Sequence, residues 1–216
     1  KTLVSTGSDN NVIVLRKSAT SDVLSAVGRD SARLIETFPE ITTAEDGKPM
    51  ISKEAVTIIN LYRKSSNDMG NVIVRGVSLD AVKMRPQVKM ISGRIWDPAK
   101  SEIIIGKSIH DRFKGCDIGQ SLKFGTRNWL IVGVFEAEKS GFESEIWGDI
   151  EQMMSAFNRP YYSTMIARLR DQNQKSSFKT RFESETRLQQ LQIKGEKEYY
   201  NEQSRPLASF LTVLGL

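Results

Sequence analysis

The hydrophobic pattern opens on a continuous apolar run, Val12-Ile13-Val14-Leu15, which predicts a strand over Asn11 to Arg16 covered on both faces, since a strand with one wet face would alternate. A helix is expected next. Thr20 or Ser21 is placed to cap it, Asp22 suits its N-terminus, and Val23, Val27, Leu34, Ile35 and Phe38 recur at helical spacing until Pro39. Met50 to Arg63 carries Val56, Ile58, Ile59, Leu61 and Tyr62, a β-rich run that fits the second strand of a split βαβ unit. Ser65, Ser66, Asn67, Asp68 and Gly70 then break the pattern, so Lys64 to Gly70 is expected to be a loop or domain boundary.

From Asn71 to Ser144 the runs are short and turns frequent. Strands are expected at Val72-Ile73-Val74, Val88 to Ile91, Glu102 to Ile105, Ser121 to Phe124 and Trp129 to Phe135. One short helix, Lys107 to Phe113, interrupts them, with Ile109 and Phe113 on one face and His110 toward solvent. After Ile146-Trp147, Asp149 caps a helix whose apolar stripe is Ile150, Met153, Met154 and Phe157 and which Pro160 ends. Ser163 to Leu169 alternates as a strand. Asn173 to Arg187 returns to helix with Phe178 and Phe182 inward, and Leu188 to Lys194 is the last strand. The pattern is an α+β fold in which a βαβ-type outer domain is interrupted by a β-rich insert, so both chain ends leave from one domain.

Composition narrows the function classes. The chain has 216 residues with 39% hydrophobic and 26% charged, an ordinary globular balance. The net charge of +5 is spread along the chain, and pairs such as Arg16-Lys17 and Arg63-Lys64 read as solvated strand ends, so a nucleic-acid groove is not expected. The single cysteine, Cys116, forms no intramolecular disulfide and reads as a packed small residue. With one histidine, His110, beside it in sequence, a four-ligand zinc site cannot be built, and no metal or cofactor is expected. Gly106-Lys107-Ser108 follows a strand and opens a helix as a phosphate-binding loop would. The glycine needed five residues before the Gly-Lys pair is Ser101, so the loop cannot wrap phosphates.

Glu143 and Glu145 lie two apart and would share one face of a strand, beside Phe142 and Trp147. An acid–base pair is conceivable there, with His110 as the other titratable candidate, but a partner-facing recognition surface made by Phe142, Glu143, Glu145 and Trp147 fits better. A catalytic role is not expected. The terminal run Ala208 to Leu216 is too short to span a bilayer and fits either a buried final element or the first turns of a membrane helix.

The order of certain motifs is specific. Ser8 to Arg16, Asn71 to Ser78, Ile91-Ser92-Gly93-Arg94-Ile95-Trp96, Glu102 to Lys107, Ile118 to Gly125, Trp129 to Phe135 and Glu145-Ile146-Trp147 together resemble the periplasmic core domain of MacB-like and FtsX-like ABC transporter permeases. The resemblance covers nearly everything from Gly7 onward. It implies a mixed α/β porter-like domain (10–66 and 145–200) interrupted by a sabre-like insert (67–144). Residues 1–9 would be the stalk from a first transmembrane helix, and 201–216 the stalk and start of a second. It also implies no chemistry in this chain and a place on the periplasmic side of a bacterial inner membrane. The partners would be a second permease subunit, a cytoplasmic ABC ATPase reached through the membrane helices, and a periplasmic adaptor or lipoprotein. The expected function is relay of ATP-driven conformational change; the alternative is a lipid- or lipoprotein-binding module.

Overall fold

The computed structural model describes the backbone of residues 6–213 and the side chains through residue 204. The strands are β1 (Asn11–Arg16), β2 (Ile51–Tyr62), β3 (Met69–Val77), β4 (Lys89–Gly93), β5 (Glu102–Gly106), β6 (Ser121–Phe124), β7 (Arg127–Glu136), β8 (Glu145–Asp149), β9 (Thr164–Arg168) and β10 (Leu191–Gly195). The helices are α1 (Arg29–Ile35), α2 (Asp80–Met84), α3 (Lys107–Arg112), α4 (Ile150–Ala156), α5 (Gln174–Ser184) and α6 (Glu196–Val213). All ten strands join one sheet in the order β10-β1-β9-β2-β3-β8-β5-β7-β4, with β6 also on β7.

Strand β2 makes this one sheet out of two. Its first residues, Ile51 to Glu54, pair with β9, and from Ala55 to Tyr62 it pairs with β3. The first half-sheet, β10-β1-β9-β2, is antiparallel throughout and is crossed by α1 and α5, which is the split βαβ arrangement expected from the sequence. The second half-sheet is mixed: β3 runs parallel to β8 and β5 parallel to β7, whereas β5 with β8 and β4 with β7 are antiparallel.

β1 is buried on both faces, as its unbroken apolar run requires. Val12 and Val14 pack with Ile35, Phe38, Phe178 and Phe182 under α1 and α5. Ile13 and Leu15 face the other way, onto Met84, Ile166 and Tyr199, the last from the second turn's start of α6. The second half-sheet is likewise covered twice, with Ile103, Ile105, Trp129 and Ile146 toward α3 and α4 and with Ile104, Phe135, Phe142 and Trp147 on the opposite face.

The structure differs from the sequence pattern in three places. The single helix expected from about residue 21 to Phe38 is instead a 3-10 turn, Asp22–Leu24, followed by α1. Two contacts break it: Val27 exchanges backbone hydrogen bonds with Tyr162, and the Ser25 hydroxyl accepts from the Arg16 N–H. Lys64 to Gly70 is the tip of the β2–β3 hairpin, with Asn67 in the left-handed region, and the half-sheets exchange earlier, at Glu54/Ala55. Strand β8, expected in the outer domain, hydrogen-bonds within the second half-sheet. Parts of both expected stalks, residues 1–5 and 214–216, lie outside the described residues. Among the described residues no helix is long and apolar enough to cross a membrane.

Candidate functional site

Charged side chains seldom lie wholly inside a protein unless they are paired. Among the described residues eight are nonetheless buried, and six of them form one connected chain at the junction of the half-sheets. Glu54, Arg85 and Glu196 are 0% exposed, Arg75 1%, Glu145 4% and Asp22 7%. Each comes from a different element. Asp22 sits in the 3-10 turn, Glu54 on β2 where it leaves β9 for β3, Arg75 on β3, Arg85 just after α2, Glu145 at the start of β8, and Glu196 as the first residue of α6.

Arg75 makes a bidentate pair with Glu145, Nε and Nη2 each donating at 2.7 Å, donates from Nη1 to Glu54 at 2.9 Å, and from Nη2 to Asp22 at 3.1 Å. Arg85 donates from Nη1 to the other oxygen of Glu54 at 2.6 Å and from Nε to Glu196 at 2.9 Å. Its Nη2 lies 2.7 Å from the same Glu196 oxygen but off the hydrogen-bond direction, so the Nε bond is the stronger contact. The second oxygen of Glu196 accepts from the Ser8 N–H at 2.9 Å and from the Asn11 amide at 2.7 Å. Gly7 completes the approach. It lies at φ +95°, and a Cβ there would fall 2.8 Å from Glu196 Cγ.

Aromatic rings wall the chain off from water. Phe142 lies over the Arg85 guanidinium at 4.5 Å and Trp147 at 5.5 Å, and the Trp147 indole N–H donates to Glu145 at 2.7 Å. Tyr199 accepts the Asp22 N–H at 2.6 Å, and the Tyr200 ring stacks edge-on to Phe142. Four carboxylates thus face two buried guanidiniums. The half-buried Arg168 is a third, holding Asn11 at 3.0 Å, and the N-terminal end of the α6 dipole faces Glu196 with roughly half a positive charge.

Burial alone would push the Glu54 carboxyl up. The guanidiniums of Arg85 and Arg75 outweigh burial, and Glu54 ends below the ordinary carboxylate range. Burial likewise works to lower both arginines, but their carboxylate partners, Glu145 for Arg75 and Glu196 then Glu54 for Arg85, hold both well above their ordinary value. The tyrosines at the start of α6 are raised by burial, so both stay neutral. The carboxylates and guanidiniums of this set are engaged with one another. Its chemistry is cross-linking.

Three of the four residues expected to face a partner, Phe142, Glu145 and Trp147, are therefore corrected, while Glu143 stays partly exposed. Trp147 is fully buried and Glu145 nearly so because they sit on β8, an interior strand between β3 and β5, and Phe142 is fully buried in the 3-10 turn just before it. Nor do Glu143 and Glu145 share a strand face: Glu143 lies in a 3-10 turn, where its carboxylate accepts the Ala137 and Lys139 N–H groups. His110 sits between Asp111 and Asp117, at 3.1 and 3.2 Å, away from the ion chain. Gly106 opens α3 directly from β5, and a Cβ there would collide with the Glu143 carbonyl oxygen. The sequence pattern missed Asp22, Glu54, Arg75, Arg85 and Glu196. The available signal was charge inside apolar strands, Glu54 before Ala55-Val56 and Arg75 after Val72-Ile73-Val74. A separate exposed apolar stripe, Ile58, Tyr62 and Met69, runs along the outer part of the β2–β3 hairpin.

The fold and the chain's motifs agree with what it is similar to. The periplasmic region of MacB from Actinobacillus actinomycetemcomitans superposes with a TM-score of 0.64 at 11% identity, over 92% of this chain and 94% of that one. The extracellular domain of the noncanonic ABC-type transporter YknZ from Gram-positive bacteria gives 0.62 at 12% identity, over 86% of this chain and 100% of that one. No curated protein matches the sequence. The porter-like half with its sabre-like insert is thus the fold of these transporter domains. Residues 2–185 match the family described as the MacB-like periplasmic core domain, and the chain belongs to that family, as the periplasmic domain of an ABC transporter permease.

Proposed function

We propose that this domain relays ATP-driven conformational change from the membrane helices to periplasmic partners or cargo. One observation carries the reading: the N-terminal segment is hydrogen-bonded, through Ser8 and Asn11, to the carboxylate of Glu196, the first residue of α6, and that carboxylate is the end of an ion chain reaching across both half-sheets. A force arriving through either end therefore meets a cross-linked body instead of a loose tether, and a rigid body converts a small bias at its root into displacement at its far edge. In this reading the power comes from a separate cytoplasmic ATPase, a second permease subunit lies alongside, and a periplasmic adaptor or lipoprotein receives the motion. In the same reading residues 1–9 are the stalk from a first membrane helix, and 201–216 are the stalk and start of a second. A lipid- or lipoprotein-binding module would need exposed apolar side chains to meet its ligand, and the aromatics Phe142 and Trp147 are buried and cannot serve.

The test is to lock the domains of paired permeases together by engineered cross-links in the complete transporter and to follow transport-linked output alongside ATPase activity. The relay reading predicts loss of output on cross-linking and recovery on reduction. Unchanged output contradicts it.

A further inference from the structure

Glu54 occupies a singular place in the buried chain. Its two oxygens are divided between the arginines, Oε2 to Arg75 Nη1 at 2.9 Å and Oε1 to Arg85 Nη1 at 2.6 Å. Arg75 belongs with Glu145 and Asp22 in the second half-sheet and the 3-10 turn, whereas Arg85 belongs with Glu196 and through it with Ser8, Asn11 and α6. Among the described residues no other ion pair joins these two groups of charges; the Asp22 N–H also donates to the Tyr199 hydroxyl of α6 at 2.6 Å, a contact to a neutral phenol that a change at Glu54 leaves in place, and the guanidiniums themselves repel. Glu54 also lies at the residue where β2 exchanges one neighbour strand for the other. Its backbone is fixed there from the far side: its carbonyl accepts the Ser163 N–H at 2.8 Å, and the Ser163 hydroxyl accepts the Val56 N–H at 2.8 Å.

We propose that Glu54 is a coupling residue: by bridging Arg75 and Arg85 it makes the seating of the α6 first turn and the order of the β3–β8 edge one cooperative event. Pulling Glu196 away frees Arg85, which then competes for both oxygens of Glu54 and draws it from Arg75. The bidentate Arg75–Glu145 pair and the Trp147 indole on Glu145 lose their support in turn. This deepens the relay reading and rests on it for its purpose, but the coupling itself is a property of the chain and is measurable without transport.

The experiment is native-state hydrogen exchange on the 216-residue chain, read at the β3–β8 amides and in α6, for Glu196→Gln, Glu145→Gln and the double variant. Glu198→Gln, on the exposed side of the same α6 turn, is the control. Sites that share no partner act independently to within about twofold in an equilibrium constant. The proposal predicts that Glu196→Gln speeds exchange at the β3–β8 edge at least about fivefold beyond the control, and that Glu145→Gln does the same in α6. In Glu54→Asp, whose shorter side chain keeps the charge but cannot hold both arginines, the cross-effect falls to within about twofold. Absence of the cross-effect with Glu54 intact overturns the proposal, as does its survival in Glu54→Asp. Should Glu54→Asp not fold, Glu54→Gln, which keeps the length but removes the charge that holds both arginines, takes its place with the same expectation. In the complete transporter, a Glu54→Asp permease that has lost coupling yet keeps full output would leave the coupling standing and contradict the relay reading.

Discussion

Replacing Arg75 by Met removes four hydrogen bonds at once, two to Glu145 and one each to Glu54 and Asp22, while keeping most of the side chain's volume. Three carboxylates then remain inside the protein with one guanidinium fewer to face them. Removing one partner of a buried ion pair costs about 3–5 kcal/mol, because the abandoned charge keeps its desolvation penalty. Domains of this kind are stable by only about 5–15 kcal/mol, so the loss is about a fifth of the margin or more. With a urea slope of about 2 kcal/mol/M, the unfolding midpoint should fall by roughly 1.5–2.5 M, followed by the fluorescence of the buried tryptophans, of which Trp147 sits on Glu145. The pH dependence follows in sign. Glu54 is lowered in the folded state, so its stabilising contribution is fully present above the unfolded value of about 4.3 and is lost as pH falls through the lower folded value. Without Arg75 the folded value rises, and acid unfolding should begin at higher pH. Arg75→Met combined with Glu145→Leu should recover part of the loss, since the orphaned carboxylate goes too. A midpoint within about 0.3 M of the parent chain and an unmoved acid limb would refute the idea that these charges hold the half-sheets together.

Three further outcomes follow from single positions. Gly7→Ala meets both a positive φ and Glu196 Cγ at 2.8 Å and should cost about 1–3 kcal/mol by thermal or urea unfolding, whereas Gly47→Ala, equally left-handed but with open space around it, should show only the smaller backbone cost. Asp149 caps α4 by accepting the Gln152 N–H, so Asp149→Ala should lose about 1 kcal/mol and Asp149→Asn much less; equal losses would mean that the cap is not the cause. The Cys116 thiol is pushed up to about 11 by burial, so at pH 8 a thiol reagent should label the native chain at least about tenfold more slowly than the urea-unfolded chain, and equal rates would place the thiol at the surface.

Much of the fold could be read because it depends on local pattern. The unbroken run in β1 announced two covered faces, Asp149 and Gln152 announced the α4 cap, and Phe178 and Phe182 four apart announced the buried side of α5. The ion chain could not be read in that way. Its members are scattered from Asp22 to Glu196, and each satisfies its charge with a partner far along the sequence, a pairing that no spacing rule encodes. An isolated Glu54 or Arg75 reads as a solvated position until β2 is seen to change neighbours beside it. Phe142 and Trp147 were misplaced for a related reason. Aromatics next to acids suggest a recognition surface, but β8 lies between two strands, so those rings and Glu145 line the inside of the joint. The sequence pointed to the right segment and the wrong side of it.

The central claim is that motion enters at the convergence of Ser8 and α6 and leaves as displacement of the domain as a body. The most direct measurement places spin labels at Asn67, on the exposed tip of the β2–β3 hairpin, in both permeases of the complete transporter, and measures the label-to-label distance with and without a non-hydrolysable ATP analogue. The account predicts two distance distributions that exchange with nucleotide state, and loss of that exchange in Glu196→Gln. A single distribution, unchanged by nucleotide in a transporter whose ATPase turns over normally, would contradict it.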